Sequence, residues 1–275
     1  MDERALVLAR GVAGDLDDSR GQRLLAGVLE ASGYRMARWD DPAGGEERLR
    51  KALEIQERLF SQEEPRISKG SLARTLDHLA TACDMQGRSG EAEKMYRRAI
   101  AIRRELAESR PDNAGIHCDL GAVLHNLAFC LSRRGELEAA CDLLEEAIEV
   151  QLAALDSEPD LKSASRYLAK HCRFLGGYRL RLGDVEEAAS VVETVVQLEI
   201  RDARLHYALA VVLVGCASAS GDAKRKEDFL DRAVRCFMKA VDLGFRDTNL
   251  IKKDRRIWVH LRGREEFQRL MKPLR

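Results

Sequence analysis

Neither sign of charge predominates in this chain of 275 residues: Lys plus Arg and Asp plus Glu number 46 each, so the formal net charge is zero. Without a basic excess, it lacks the electrostatic footprint that non-specific nucleic-acid or membrane-surface binding requires. Long hydrophobic runs are missing as well. The most apolar stretch, Tyr207 to Ala219, covers about 13 residues and is too short to span a bilayer. The opening MDERALVLARG places acids before a short apolar run and lacks the basic region of a secretory signal. The seven cysteines are an odd count, and Cys83, Cys130 and Cys172 fall on predicted core-facing helix positions. Thiols placed so act as small apolar side chains, which argues against a disulfide framework and for the reducing cytoplasm.

Catalytic signatures are equally scarce. There is no GxGxxG loop, HRD or DFG, no Walker loop and no GxSxG elbow. Ser218 lies in GCASASG, but Cys216 stands where the elbow needs glycine. No CxxC or HxxxH spacing occurs. The adjacent pairs His117-Cys118 and His171-Cys172 point about 100° apart on a helix, away from a common ion. The expectation is therefore no enzyme, no metal and no cofactor, with core cysteines beside partly exposed histidines.

What the chain has is charge at 33% with aromatics at only 5%, which suits long helices with solvated outer faces. It also has a beat. In LATACDMQGRSGEAEKMYRRAIA, an apolar helix carrying Leu76, Leu79, Ala80 and Cys83 breaks at Gly87, and a second helix stacks Ala92, Tyr96 and Ala99 at helical spacings. Gly135, Ala140, Leu144 and Ala147 repeat that set 48 residues on, and Gly183, Ala188, Val192 and Val195 repeat it after another 48. Leu79, Leu127 and Leu175 keep the same interval in the first helix of each pair. A fixed period of this kind marks a solenoid of hairpins that cannot bury their apolar faces singly.

The pattern resembles the tetratricopeptide repeat: a large residue, Leu, a small residue, Gly at the turn, then Ala, a large apolar residue and Ala. The resemblance covers roughly residues 20 to 245, with helices and inter-repeat loops longer than the family's usual unit of about 34 residues. It implies an all-α, right-handed α-solenoid of about five helical hairpins. Residues 1–18 are expected as a half-repeat or cap, 19–245 as the solenoid and 246–275 as a C-terminal helical cap. The first hairpin has Trp39-Asp40-Asp41-Pro42 in place of the glycine turn, with its second helix over 46–59. In the fifth, Ala233 lies late, and the Gly- and Lys-containing stretch 218–227 is expected as a loop.

The tail is similar to the ending of many bacterial tetratricopeptide proteins, notably planctomycete ones, some fused to a serine/threonine kinase domain. The matching residues are Lys239-Ala240-Val241, Gly244, Asp247, Leu250, Asp254, Leu261-Arg262 and Phe267. Leu250, Ile257, Trp258, Leu261, Phe267 and Leu270 form apolar helical spacings able to cover the last repeat.

In the resembling family the first helix of each hairpin lines a concave groove. That register places Arg74, Asp77, His78, Thr81 and Asp84 in the groove, then Asn126 and Phe129, then Lys170, Arg173 and Phe174. One member of the family clamps a C-terminal carboxylate with Lys, Asn, Asn, Lys and Arg; the same slots here hold Asp77, Thr81, Asn126, Lys170 and Phe174. Two of the five match, and Asp77 repels such a ligand. The resemblance implies a non-catalytic scaffold for protein–protein interaction, taking a peptide with an acidic end at Arg74, His78, Asn126, Phe129, Lys170, Arg173 and Phe174. The alternative is a regulatory region of, or partner to, a bacterial kinase system. Arg97-Arg98 and Arg103-Arg104 are expected on a solvated outer face, and self-association through residues 1–18 is a further option.

Overall fold

The computed structural model describes residues 7, 11, 19–62 and 65–272, and all regular structure among them is helical. Ten helices follow one another: α1 (Ser19–Trp39), α2 (Pro42–Gln62), α3 (Pro65–Met85), α4 (Ser89–Ser109), α5 (Ala114–Arg133), α6 (Leu137–Ser157), α7 (Lys162–Leu182), α8 (Val185–Gln197), α9 (Ala203–Ala219) and α10 (Ala223–Asp242). Three short helices end the chain: α11 (Thr248–Lys253), α12 (Arg255–Leu261) and α13 (Glu265–Met271). The helices group into two compact units, residues 1–131 and 132–275. Within the first, α1 packs on α2, α3 on α4, and α3 also on α1 and α2; within the second, α7 and α9 pack together while each holds its own partner, α8 or α10. Contact with both the next helix and the next but one is the packing of stacked hairpins. The fold is an α-solenoid of helical hairpins.

Glycine turns explain how the chain doubles back after α3, α7 and α10. Gly87, Gly183 and Gly244 have φ of +82°, +92° and +98°, a region that costs a residue with a Cβ dearly. At the first, the Arg88 amide donates to the Cys83 carbonyl and the Gly87 amide to that of Asp84, both at 2.9 Å. Asp184 to Arg179 and Gly183 to Leu180 repeat the pattern, as do Phe245 to Ala240 and Gly244 to Val241. These are Schellman caps, which satisfy the last carbonyls of a helix while turning the chain. The first hairpin manages without one: α1 runs to Trp39 and α2 starts on Pro42, a residue suited to the first helical turn. Its two helices instead approach glycine to glycine, since a Cβ on Gly33 would lie 2.8 Å from the Gly45 carbonyl oxygen.

Two expectations change. The stretch 218–227 is almost wholly helical; only residues 220–222 connect α9 to α10. The Asp222 carboxylate accepts the Arg225 amide at 2.7 Å, so this N-cap starts the helix early, and the run Lys224 to Asp228 that follows is solvated helix surface rather than loop. In the tail, Ile257, Leu261 and Phe267 are buried as expected, with Phe267 against the Phe237 ring of α10 at 5.0 Å between centroids. Leu250 is not buried: it stands 38% exposed, and the neighbouring Ile251 takes the interior position. Arg264 fastens α13's leading edge to Glu227 and Asp231 of α10. The side chain of Trp258, and residues 1–18 apart from 7 and 11, lie outside the described residues.

Replacing Gly183 by Ala is expected to cost about 1–2 kcal/mol, because the left-handed cap conformation then carries a Cβ. Gly90→Ala, inside α4 with open space around its would-be Cβ, is expected to be neutral or to stabilise by about 0.5–1 kcal/mol. Urea denaturation midpoints of the two variants check both signs.

Candidate functional site

In the first unit the groove-register residues are engaged with one another. Glu30 of α1 is 4% exposed and meets two side chains of α3: His78 Nδ1 at 2.5 Å and Arg74 Nε at 3.1 Å. Burial works to raise the Glu30 carboxyl, yet the His78 and Arg74 contacts outweigh it and the net shift is downward. The His78 ring also stacks on Tyr34, centroids 3.7 Å apart. Asn126 Nδ2 donates to the buried Asp77 carboxylate at 2.9 Å, and burial still raises that carboxyl overall. Thr81 shares a 3.0 Å hydrogen bond with the Tyr96 hydroxyl, and Asp84 accepts from Ser89 at 2.8 Å. Of the four candidates in this unit, Arg74, His78 and Asn126 are thus structural partners of buried carboxylates, while Phe129 is 43% exposed.

Two outer-face assignments also need correction. Arg103, expected in solvent, is 4% exposed and reaches the Asp119 carboxylate at 2.6 Å, bridging α4 and α5. His171, expected to be partly exposed, is fully buried in α7, and desolvation, with the charge of Lys170 adding to it, drives its pKa down to about 3. His117 does sit half-buried, with Nε2 2.7 Å from the Pro111 carbonyl. Among the described residues no group of three His, Cys, Asp or Glu is placed to hold a metal ion. Helix α5 is long and apolar enough to cross a bilayer by composition, but 61% of that window is buried within the protein.

In the second unit the candidates converge. Lys170, Arg173 and Phe174 of α7 line a cleft of about 630 Å³, whose far side is built by α9 and the chain from Gly244 to Leu250. Its floor is aromatic: Phe174 packs edge-on to Tyr178 at 5.9 Å, and Tyr207 stacks on Phe245 at 4.5 Å and 11°. Its rim carries Arg166, Lys170, Arg173, Arg204 and Arg246, all exposed, against the single carboxylate of Asp247. Asp247 is already occupied, accepting the Leu250 amide at 2.8 Å. Arg246 donates through Nη1 to the Val241 and Phe245 carbonyls at 2.7 and 2.9 Å, which holds one corner of its guanidinium at the turn. Tyr207, Phe245 and Arg246 were missed by the repeat register. Phe245 and Arg246 belong to the tail, and the signal that could have found them is Gly244, the same capping glycine that ends the earlier helices.

Residues 72–112 and 120–159 each match the tetratricopeptide repeat. Among solved structures, BtubC (BKLC) from P. vanneervenii is 21% identical, with a TM-score of 0.61 over 89% of this chain and 90% of that one. The nuclear import adaptor Nro1 of S. pombe is 14% identical, TM-score 0.58, covering 92% and 86%. A kinesin-light-chain-like protein of Podosopora anserina with nearly identical TPR-like repeats is 20% identical, TM-score 0.52, covering 86% and 96%. A comparison with curated proteins finds no match. At such identities the likeness is one of fold.

Two stability predictions follow from these geometries. Asn126→Ala leaves the buried Asp77 carboxylate without its amide donor and is expected to destabilise by about 1–3 kcal/mol, read as a lowered denaturation midpoint. His171 is neutral when folded and protonates near its ordinary value when unfolded. Below about pH 6.5 the unfolded state therefore binds the extra proton, and stability falls by up to about 1.4 kcal/mol per pH unit toward pH 3. In His171→Leu that slope is expected to flatten, measurable by urea titrations between pH 7 and pH 4. These arrangements belong to an α-solenoid whose residues 72–112 and 120–159 match the tetratricopeptide repeat.

Proposed function

We propose that this chain is a non-catalytic interaction scaffold that holds a peptide, or an extended segment of a partner protein, against its first-of-pair helices. Tetratricopeptide repeats generally mediate protein–protein interaction, and a preformed surface loses little ordering entropy on binding. The observation that carries the reading is where the candidate side chains sit: Arg74 and Asn126 reach buried carboxylates, while Lys170, Arg173 and Phe174 line one open cleft. The ligand-facing set is accordingly Lys170, Arg173 and Phe174, with Phe129 as an exposed apolar contact on α5.

A reducing cytoplasm is the compartment we assign. All seven cysteines are free and buried, and burial pushes the thiols of Cys83, Cys141, Cys216 and Cys236 up to about 11 and that of Cys172 up to about 12. Such thiols are poor nucleophiles and serve as core side chains. The alternative, a regulatory region of a bacterial kinase system, rests on the resemblance of the tail and on no feature of the cleft.

Affinity capture from the native host tests the scaffold reading. The double variant Lys170→Glu/Arg173→Glu is expected to lose the partners that the unaltered chain recovers, while Arg97→Glu on the outer face of α4 keeps them. Unchanged recovery with the double variant counts against it.

A further inference from the structure

The cleft of the second unit differs from a groove lined by repeat helices alone, because the chain after the last hairpin supplies one of its walls. Gly244 turns that chain back through its left-handed cap, and the turn delivers Phe245 onto Tyr207 and Arg246 onto the rim. The charge pattern around it is also unlike the rest of the protein. On the hairpin surfaces, arginines sit opposite carboxylates of a neighbouring helix: Arg50 with Glu91, Arg98 with Glu57, Arg179 with Glu145, Arg232 with Glu193. Among the described residues no carboxylate pairs with Arg166, Arg173, Arg204 or Arg246. A chain with zero net charge thus gathers four arginines without a carboxylate partner around one aromatic-floored cleft.

The spacing of those cations says what shape of anion suits them. Arg166, Lys170 and Arg173 lie at i, i+4 and i+7 on α7, a row about 10 Å long at 1.5 Å per residue. A single phosphate or terminal carboxylate meets at most one end of such a row. An extended chain rises about 3.3 Å per residue, so acidic side chains spread over three or four residues match it. Phe174, the Tyr207–Phe245 stack and the exposed Leu250 offer an apolar seat between the two charged edges.

We propose that this cleft recognises an internal acidic segment of a partner protein, with an apolar side chain set between two acidic flanks, and that the capping segment's Arg246 is a specificity-determining residue for it. The assignment rests on the scaffold reading and narrows it to one surface and one ligand chemistry. It differs from a carboxylate clamp in needing no free chain end.

The probe is a fluorescein-labelled, C-terminally amidated peptide, Gly-Ser-Glu-Asp-Leu-Glu-Asp-Ser-Gly, titrated with the full chain and read by fluorescence anisotropy. Saturable binding is expected, weakening with salt as exposed charge pairs are screened. Arg173→Ala, Arg204→Ala and Arg246→Ala are each expected to weaken it about tenfold, the worth of one charge-assisted contact. Arg269→Ala, an exposed arginine of α13 outside the cleft, is expected to leave it unchanged. All four side chains are exposed, so circular dichroism is expected to show the same helix content in each variant. Equal binding of the Gln/Asn version of the peptide would overturn the acidic assignment. Binding only by the peptide with a free C-terminal carboxylate would overturn the internal one, and equal competition by a single-stranded oligonucleotide of matched charge would overturn the peptide one. Should the probe fail while partner capture still depends on Lys170 and Arg173, this assignment falls and the scaffold reading stands.

Discussion

Close approach between helices through side chains of one carbon or none is the constraint on which the rest of this structure depends. Ala92 and Ala99 of α4, Ala140 and Ala147 of α6 and Ala188 of α8 are each wholly buried. Gly176 of α7 sits so near α9 that a Cβ there would stand 2.6 Å from Val212 Cγ1. Where backbones come this close, a larger residue forces the pair apart rather than merely overfilling a gap. Spreading a hairpin also rotates the residues one turn away. The i, i+4, i+7 row on α7 would then no longer face the wall made by α9 and the chain beyond Gly244. Packing and the shape of the cleft in the second unit are consequences of the same short distances.

Charge is distributed in two ways with different physical meanings. Exposed ion pairs such as Arg50–Glu91 and Arg98–Glu57 are each worth little, about 0–1 kcal/mol, since water already solvates both partners. Their effect is to cancel field across the outer faces of a chain with 33% charged residues. Buried carboxylates are another matter. Glu30 and Asp77 are held in the interior only because Arg74, His78 and Asn126 reach them, and removal of a partner leaves an uncompensated buried group. Polar residues at equivalent register positions therefore do unlike work. Those opposite a buried acid are committed to the fold, while those on α7 line a cleft.

That distinction marks how far the sequence could be read. The glycine turns and the alanine stripes were legible, because each rests on contacts within about 20 residues and repeats three times over. The register put Lys170, Arg173 and Phe174 together on α7, and in the structure they line one cleft. It could not say that Arg74, His78 and Asn126 were spent on acids, since Glu30 lies 44 residues before Arg74, and Asp77 lies 49 before Asn126. Such pairings join neighbouring repeats, and a repeat pattern treats each position as if it were alone. The 218–227 stretch failed for a local reason: Gly221 and the basic run suggested a loop, while Asp222 was an N-cap that made the same lysines and arginines the first turn of α10.

The tail both packs on the preceding helices and builds one wall of the cleft. Ile257, Leu261 and Phe267 are buried, Phe267 against Phe237 of α10. The turn at Gly244 brings Phe245 over Tyr207 on α9. The stack closes the core below and forms the cleft floor above, so one aromatic contact serves both. Arg246 comes next in the chain, and its two hydrogen bonds to the Val241 and Phe245 carbonyls tie the charged rim to the C-terminus of α10. Cations are favoured at that end of a helix by its dipole. The position of the rim is thus set by the same backbone groups that end the last repeat, and a change that loosens the cap moves the wall with it.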